Sequence, residues 1–337
     1  IEELQTAWLK ELHSVEKELS TTQKDGPYAF RLGMELQRHR REYLLRELAA
    51  KAFLPGYGFP TDIVNLDNSN IEDFIREQKG RSKNNAERED NISRLRGLPS
   101  RNLAIAIREY APGAEMVIDG RVFRSAGVSL NWQNIAVADA KDAQKFDLAW
   151  RCVSCGQTGY TTEIQTSDSN LCCSHCGHSI KVEDKLKVLQ PTGFVTDFYA
   201  SPTNNITTQH YIPVQPAWVS VNSPIHPLPN PKLGFMRYGT DGSVFNYSAG
   251  EHGKGYAMCL SCGRAESLTA QGEFPTTLTP EKPHKPIRGS KKDKNDGRHH
   301  DCEGSSHIHK DIYLGSQTKT DVLEIVLCHP KTGEYLN

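Results

Sequence analysis

Apolar residues recur every three or four positions over the first twenty residues. They are Ile1, Leu4, Trp8, Leu12, Val15 and Leu19. This spacing places them on one face of a helix and predicts an amphipathic helix. Gly26-Pro27 interrupts the pattern, and a second helical pattern extends from about Tyr28 to Ala52. Residues 1–52 are therefore expected to form a helical segment.

The next part of the chain, residues 53–101, lacks a sustained apolar period. It opens with the aromatic, Pro- and Gly-rich segment Phe53-Leu-Pro-Gly-Tyr-Gly-Phe-Pro60. Residues 76–101 are rich in Arg, Lys, Glu, Asn and Ser, which favours a mobile or lightly ordered connector. Leu103 to Tyr110 then predicts a short helix or strand.

Two Asp-Gly pairs stand between short apolar runs. Asp119-Gly120 follows Glu115–Ile118, and Asp241-Gly242 follows Phe235-Met-Arg-Tyr238. Asp-Gly suits a type I′ turn, in which both central residues have a positive φ. Both pairs therefore predict β-hairpins.

From residue 115 onward the chain consists of short strand patterns, turns and cysteine pairs, without a repeat or a βα alternation. We expect an α+β fold, with N-terminal helices followed by a mixed, mainly antiparallel β region that carries two zinc modules. The expected divisions are a helical segment (1–52), a turn and polar connector (53–101), a hairpin-containing α+β segment (102–150), a zinc ribbon (151–190) and a β-rich domain with a second zinc site (191–337).

Composition describes a polar, globular chain of neutral charge. Of 337 residues, 37% are hydrophobic and 24% charged, and 40 Lys and Arg oppose 41 Asp and Glu for a net charge of -1. This balance excludes a globally basic nucleic-acid binder and leaves local basic patches. No apolar run approaches the ~18 residues that span a bilayer, and no signal peptide is visible. We expect a cytoplasmic protein without a membrane partner, and the start at Ile1 suggests a fragment.

Two local basic stretches are candidates for contact with a phosphate backbone. The first is Arg38-His39-Arg40-Arg41, for which a solvated face paired with Glu35, Glu42 and Glu47 is the alternative. The second is residues 282–300, where seven Lys and Arg minus two Asp leave a local charge of +5 in a loop. A solvated loop is again the alternative. The candidate nucleic-acid contacts are Arg38, Arg40, Arg41, Lys285, Arg288, Lys291 and Lys292.

The first group of cysteines has the spacing of a zinc ribbon. Cys152-x-x-Cys155 is followed, after 17 residues, by Cys173-x-x-Cys176. Two residues between thiolates let one tight turn offer both sulfurs to a tetrahedral ion, and the glycine after each pair permits the left-handed backbone that this turn needs. Four thiolates leave no open coordination position, so this zinc site is expected to be structural. Cys172 competes with Cys173, but only Cys173 keeps the two-residue gap.

A second group begins with Cys259-x-x-Cys262 and needs two further ligands. Cys302 is the expected third. His284, His299, His300 and Cys328 compete for the fourth position, and spacing alone slightly favours His299, two residues before Cys302. Cys328 follows an apolar strand pattern, which is more typical of a core cysteine. The alternative for the whole group is a set of buried free thiols.

Motifs of nucleotide binding and hydrolysis are absent from the sequence. It contains no P-loop, no G-x-G-x-x-G, no H-E-x-x-H and no G-x-S-x-G. We therefore expect no catalytic residues in this chain, and an independent hydrolase or nuclease is disfavoured.

The motifs, taken in order, resemble the C-terminal zinc-binding accessory region of large bacterial superfamily 2 (DEAD/DEAH-type) helicases. They are the Phe53 to Pro60 segment, Leu98-Pro-Ser-Arg101, Arg108-Glu-Tyr-Ala-Pro-Gly113, Val117-Ile-Asp-Gly120, Gly127-Val128, Gln190-Pro-Thr-Gly-Phe194, Gly255-Tyr-Ala-Met-Cys-Leu-Ser-Cys-Gly-Arg-Ala-Glu266, Leu314-Gly315 and Thr320-Asp-Val-Leu-Glu324. This string is similar to the domain named after the repair helicase MrfA, with relatives in the Druantia and DISARM anti-phage systems. The resemblance covers about residues 28–327.

The resemblance implies a ligand and a context. His284-Lys-Pro-Ile-Arg-Gly289 and Cys302-Glu-Gly304 match the family's pattern, which implies His284 as the fourth ligand, with His299 or His300 in reserve. It implies two Zn²⁺ ions in this chain. It also implies that the complete protein hydrolyses ATP and moves on DNA, with ATP and Mg²⁺ bound in a motor region that these residues do not contain.

These observations lead to one principal functional expectation and two alternatives. The principal one is a zinc-binding accessory region of an ATP-dependent DNA helicase or translocase in anti-phage defence, which engages DNA or other subunits of a defence complex. The first alternative is a non-catalytic scaffold subunit that pairs with a separate helicase. The second is a DNA-repair helicase of the MrfA type.

Overall fold

The computed structural model describes residues 2–22, 26–41, 44, 48, 62–80, 98–130, 146–161, 171–173, 176–221, 223–289, 300–302 and 307–333. The segment from Phe53 to Pro60 lies outside these residues, as do Lys291, Lys292 and His299. Within them the chain forms four α-helices and fourteen strands. This composition and the pairing described below confirm the expected α+β fold with a mainly antiparallel β region.

The helices are α1 (Glu2–Thr21), α2 (Pro27–Arg41), α3 (Ile71–Gly80) and α4 (Leu103–Glu109). The strands are β1 (Ile63–Asp67), β2 (Ser100–Asn102), β3 (Glu115–Ile118), β4 (Arg121–Val128), β5 (Asp147–Arg151), β6 (Thr158–Thr161), β7 (Lys185–Leu189), β8 (Gly193–Thr196), β9 (Trp218–Ser220), β10 (His226–Pro227), β11 (Gly234–Ser248), β12 (Tyr256–Cys259), β13 (Ala265–Ser267) and β14 (Ile308–Leu327). Two 3-10 turns cover Val182–Asp184 and Pro231–Leu233.

The first helical prediction is confirmed by α1, and the second by α2 as far as Arg41. Pro27 stands at the start of α2, where its fixed φ suits a helix and its missing N–H is not needed. Most of residues 42–52 lie outside the described part of the chain.

The expected connector at residues 76–101 is corrected at both ends. Residues 76–80 complete α3, and Ser100–Asn102 forms β2. Asn70 explains the helix, because its side-chain oxygen accepts the backbone N–H groups of Glu72 and Asp73 at 2.9 and 3.1 Å. Asp73 in turn accepts the N–H of Asn70, which completes a capping box. Residues 81–97 of the connector lie outside the described residues.

The chain divides into two compact units that are interleaved along the sequence. Unit 1 comprises residues 1–144, 191–213 and 248–314, and unit 2 comprises residues 145–190, 214–247 and 315–337. The segment boundaries expected from the sequence stay a prediction.

Unit 1 contains a five-stranded sheet in the order β2-β1-β8-β4-β3. β1 and β8 are parallel, and the other neighbours are antiparallel. Leu66, Ile107 and Phe194 are fully buried in its core. The β3–β4 hairpin confirms the first Asp-Gly prediction, since Asp119 and Gly120 have φ values of 49° and 74°. β12 pairs with β13 and with the beginning of β14.

Unit 2 contains a curled sheet in the order β10-β11-β14-β7-β5-β6, and β9 also pairs with β11. The curl brings β6 to β9. The Ser220 hydroxyl donates to the Thr158 carbonyl at 3.1 Å, and the Thr158 hydroxyl donates to the Val219 carbonyl at 3.4 Å. The sheet thus closes around a core of Ala149, Val188 and Phe245.

The second Asp-Gly prediction is wrong. Asp241 and Gly242 lie inside the continuous strand β11, and neither has a positive φ. A Cβ atom at Gly242 would lie 2.5 Å from the Val322 side chain and 3.1 Å from the Ser220 carbonyl oxygen. The glycine therefore serves a close approach between strands, and no turn is formed there.

Candidate metal centres

Three Cys-x-x-Cys-Gly segments fold into the same tight turn. In each, the first cysteine donates its N–H to the carbonyl five residues on, and its own carbonyl accepts the glycine N–H four residues on. The N···O distances are 2.8 and 2.8 Å for Cys152, 2.8 and 2.9 Å for Cys173, and 2.9 and 2.8 Å for Cys259. The second of these segments begins at Cys173 and has Cys176 as its other cysteine. The glycines Gly156, Gly177 and Gly263 have φ values of 73°, 72° and 86°. This left-handed conformation is readily open only to glycine, as the sequence predicted.

The first metal centre consists of Cys152, Cys155, Cys173 and Cys176, and it lies in unit 2. The Sγ atoms of Cys152 and Cys176 are 3.5 Å apart, and those of Cys155 and Cys173 are 3.6 Å apart. All four sulfurs lie within 4.8 Å of one another. A tetrahedral ion with Zn–S bonds of ~2.3 Å requires S···S separations of about 3.8 Å. The spacing of these sulfurs therefore fits a tetrahedral ion.

The four thiols of the first centre differ in exposure and acidity. Burial raises the pKa of Cys155 to about 12, and it also raises the pKa of Cys152. The pKa of the exposed Cys176 is lowered to about 7, chiefly because the backbone N–H of His178 donates to its sulfur. Cys176 therefore supplies thiolate more readily at neutral pH than Cys152 and Cys155, which need a cation to hold them deprotonated.

The second metal centre consists of Cys259, Cys262, His284 and Cys302, and it lies in unit 1. His284 Nε2 is 3.4 Å from the Cys262 sulfur, and the sulfurs of Cys259 and Cys302 are 3.9 Å apart. The four ligand atoms lie within 4.8 Å of one another. The backbone joins the two distant ligands directly, because the Cys302 N–H donates to the His284 carbonyl at 2.7 Å.

The structure thus brings His284, among the competing residues, into this group. His300 is described and is not part of it, and His299 lies outside the described residues. Cys172 and Cys328 also stand apart from both groups, with Cys172 exposed and Cys328 partly exposed.

Crowding at the second centre changes the acidity of its groups. Hydrogen bonds with Cys259 and Cys302, together with burial, raise the pKa of Cys262 well above the ordinary range of a thiol. Burial lowers the pKa of His284, but interactions with Cys259 and Cys302 outweigh it and raise the pKa to about 9. One divalent cation would bind the three sulfurs and the imidazole together. Thiolate and imidazole are the ligands that Zn²⁺ favours, so both groups fit zinc.

The described candidates for nucleic-acid contact lie in unit 1, on α2 and at Lys285 and Arg288. Arg40 pairs with Glu16 of α1 at 2.6 Å and keeps 59% of its side chain exposed. Its neighbour His39 lies 3.5 Å from Glu11, so the helix α1 supplies the acidic partners of both residues. Arg38 and Arg41 also lie in α2.

The two described candidates of the basic loop have protein neighbours. Arg288 bonds Glu35 at 3.3 Å and the Ser129 hydroxyl at 2.6 Å, with 11% of its side chain exposed. The Lys285 ammonium lies 5.7 Å from the centre of the Tyr199 ring. The side chains of Arg40 and Lys285 are exposed, whereas that of Arg288 is largely buried.

Sequence reasoning missed a buried polar network in unit 2. The Arg237 guanidinium bonds Glu324 and donates to the Gln157 side-chain oxygen at 2.8 Å. Gln157 also donates to the Ser220 hydroxyl at 2.9 Å. Gln157 occupies the position after the first Cys-x-x-Cys-Gly, and its carbonyl accepts the Cys152 N–H. The Cys-x-x-Cys-Gly turn is called the knuckle below, and its glycine the knuckle glycine. The sequence signal for this network was a polar residue directly after the knuckle glycine. Arg264 occupies the same position at the second centre.

The chain is similar to a known protein of the Druantia system. The chain is 23% identical, over 297 residues, to the Druantia protein DruE of Escherichia coli (strain UMEA 4076-1). The match covers 84% of this chain. The chain spans 14% of the length of that relative. No family model matches, and neither does any solved structure. The Druantia part of the resemblance therefore has support, and membership of a helicase family stays a prediction.

No helix in the described part of the chain combines the length and the apolar character needed to cross a bilayer.

Proposed function

We propose that this chain is a zinc-binding accessory region of an ATP-dependent DNA helicase or translocase that acts in anti-phage defence. The similarity to the Druantia protein DruE over 84% of the chain carries this proposal. In it, the chain contributes no ATPase site of its own. ATP and Mg²⁺ belong to a motor region elsewhere in the complete protein or complex.

The role of zinc in this proposal is structural. Both candidate centres offer four protein ligands, which leaves no coordination position for a substrate. Metal binding supplies folding free energy to short loops that bury few apolar side chains by themselves. The centres would thereby hold the surfaces that meet DNA or a partner subunit.

The proposed DNA contact is electrostatic and independent of sequence. Arginine and lysine side chains on helices and loops grip phosphates without reading base edges. Binding of the purified chain to a fluorescent DNA oligonucleotide should therefore weaken steeply between 50 and 200 mM salt, roughly in proportion to the number of phosphates contacted. Fluorescence anisotropy at several salt concentrations measures this slope.

Two variants test whether α2 makes the proposed contact with DNA. Arg40→Gln is expected to reduce the slope of log affinity against log salt by about 1, as the loss of one phosphate contact does. Arg101→Gln is the matched control, since Arg101 is also an exposed arginine paired with a glutamate, Glu109, and is 51% exposed. Absence of DNA binding, or equal slopes for all three proteins, would contradict the contact through Arg40.

A second candidate function is that of a non-catalytic scaffold subunit bound to a separate helicase. An exposed apolar face on β11 and β14 favours it: Tyr238, Leu323, Ile325 and Leu327 are 55%, 61%, 54% and 47% exposed. In this case Leu323→Glu should release the helicase subunit in co-purification. Val182→Glu, at an apolar position that is 81% exposed elsewhere in unit 2, should not.

A further inference from the structure

A short loop in unit 1 connects the second metal centre to helix α2. This loop, residues 284–289, is called the strap below. It begins at His284, a ligand of the centre, and contains Ile287, which is fully buried. The Ile287 carbonyl accepts the Phe198 N–H at 3.2 Å, which attaches the strap to the turn that follows β8.

Helix α2 is attached to the strap at two points one turn apart. Arg31 Nη1 donates to the Ile287 carbonyl at 3.5 Å, and Glu35 pairs with Arg288 at 3.3 Å. Residues four apart lie on the same face of a helix, so this face of α2 is the one that docks on the strap. Arg31 is 4% exposed, bonds Asp67 and lies 5.3 Å from the centre of the Phe198 ring.

The other end of the strap is held by the metal-binding residues themselves. The His284 carbonyl accepts the Cys302 N–H, and Arg264, which follows the knuckle glycine, donates to the Lys285 carbonyl at 2.7 Å. Arg264 also pairs with Asp197 at 2.8 Å. The strap forms no regular strand or helix, so these attachments define its conformation.

We infer that metal binding at the second centre and docking of helix α2 are coupled through the strap. With the metal bound, His284 and Cys302 fix the beginning of the strap, and the Ile287 carbonyl and Arg288 are in place to receive Arg31 and Glu35. Loss of the metal releases His284 and loosens both attachments of α2. The inference rests on the proposed metal centre and is independent of the proposed role in defence or DNA binding.

Hydrogen exchange on the full chain tests this coupling. His284→Ala removes one ligand and should speed amide exchange in residues 27–41 at least about fivefold, the lower range of such coupling. His284→Cys restores a fourth ligand and should return both the metal and the protection of α2. Cys155→Ser, which impairs the first centre, should leave exchange in α2 unchanged.

The converse experiment leaves every ligand in place. Arg31→Met removes an attachment of α2 but keeps a long apolar side chain, so the chain should still bind metal at both centres. Coupling is reciprocal, so metal release from the second centre to a chromophoric chelator should be accelerated at least about fivefold. A Lys10→Met variant on the exposed side of α1 is the control and should release metal at the wild-type rate.

The outcomes separate the proposed coupling from the proposed metal centre on which it rests. Metal at the second centre of the wild-type chain, measured by elemental analysis, tests the proposed centre. If that metal is present but Arg31→Met leaves its release rate unchanged, the coupling is refuted even where His284→Ala fails to fold. Loss of metal in His284→Ala with unchanged exchange in α2 refutes it equally.

Discussion

At the scale of the residue, the knuckle glycines show how one backbone requirement is met in different surroundings. Gly156 and Gly263 both adopt a positive φ after a Cys-x-x-Cys pair. A Cβ atom at Gly156 would meet nothing within 4 Å, whereas at Gly263 it would lie 2.2 Å from the Val128 carbonyl oxygen. The Gly263 carbonyl also accepts the Val128 N–H, so this knuckle packs directly against β4.

Alanine substitutions should separate these two effects. Gly156→Ala is expected to lower the free energy of unfolding by about 1–2 kcal/mol, because only the left-handed backbone is strained. Gly263→Ala adds a backbone clash and is expected to cost about 2–5 kcal/mol. Denaturant unfolding of the zinc-loaded variants measures both, and equal losses would show that the contact with β4 does not matter.

At the scale of the element, the strands of unit 2 are held by a buried ion pair as well as by apolar packing. Arg237 of β11 and Glu324 of β14 have side chains that are 3% and 18% exposed. Gln157 and Ser220 extend the network to the first knuckle and to β9. A buried charge that loses its partner is costly, so this network makes the alignment of the strands sensitive to each member.

A double-mutant cycle tests whether Arg237 and Glu324 form a coupled buried ion pair. Arg237→Met leaves Glu324 without its charged partner and should lower the free energy of unfolding by about 3 kcal/mol or more. Adding Glu324→Leu removes the carboxylate that has lost its charged partner, so the double variant should be more stable than Arg237→Met alone. For comparison, Arg101→Met breaks an exposed pair and should cost under about 1 kcal/mol. Additive losses in the double variant would argue against a coupled buried pair.

At the scale of the whole molecule, the described residues of each unit include one candidate metal centre. Unit 2 is assembled from three separate parts of the chain. The first metal centre closes a loop within only one of these parts, residues 145–190. In unit 1, Cys262 and His284 are 22 positions apart, and Cys259 and Cys302 are 43 positions apart. Closing loops of this length is entropically unfavourable, which a metal ion offsets by binding only the closed form.

Loss of the metal centre in one unit should therefore leave the zinc ion of the other unit bound. The wild-type chain is expected to contain two zinc ions, and Cys155→Ser and Cys262→Ser one each, with local unfolding confined to unit 2 and unit 1 respectively. Elemental analysis before and after chelator treatment, combined with hydrogen exchange, measures this. Unchanged zinc content and thermal stability in both variants would overturn the assignment of these ligands. Cys172→Ser, adjacent to a ligand but outside both groups, is the control.

Local features were predictable from the sequence because short-range geometry encodes them. The helical period of α1, the Asp119-Gly120 turn and the Cys-x-x-Cys-Gly spacing each depend on residues within a few positions of one another. These features, together with the absence of a βα alternation, were enough to predict the α+β class, the four ligands of the first candidate metal centre and the cysteines of the second.

Long-range packing decided the rest. Asp241-Gly242 has the local signature of a turn, but the approach of Val322 and Ser220 places it in a strand. Spacing alone left the fourth ligand of the second centre open, with a slight preference for His299, and only the family resemblance implied His284. The tertiary structure joins His284 to Cys302 through the backbone. The burial of Arg31 and Arg237 likewise depends on partners more than thirty positions away. Such contacts follow from how distant parts of the chain fill space together, and only the folded structure specifies that arrangement.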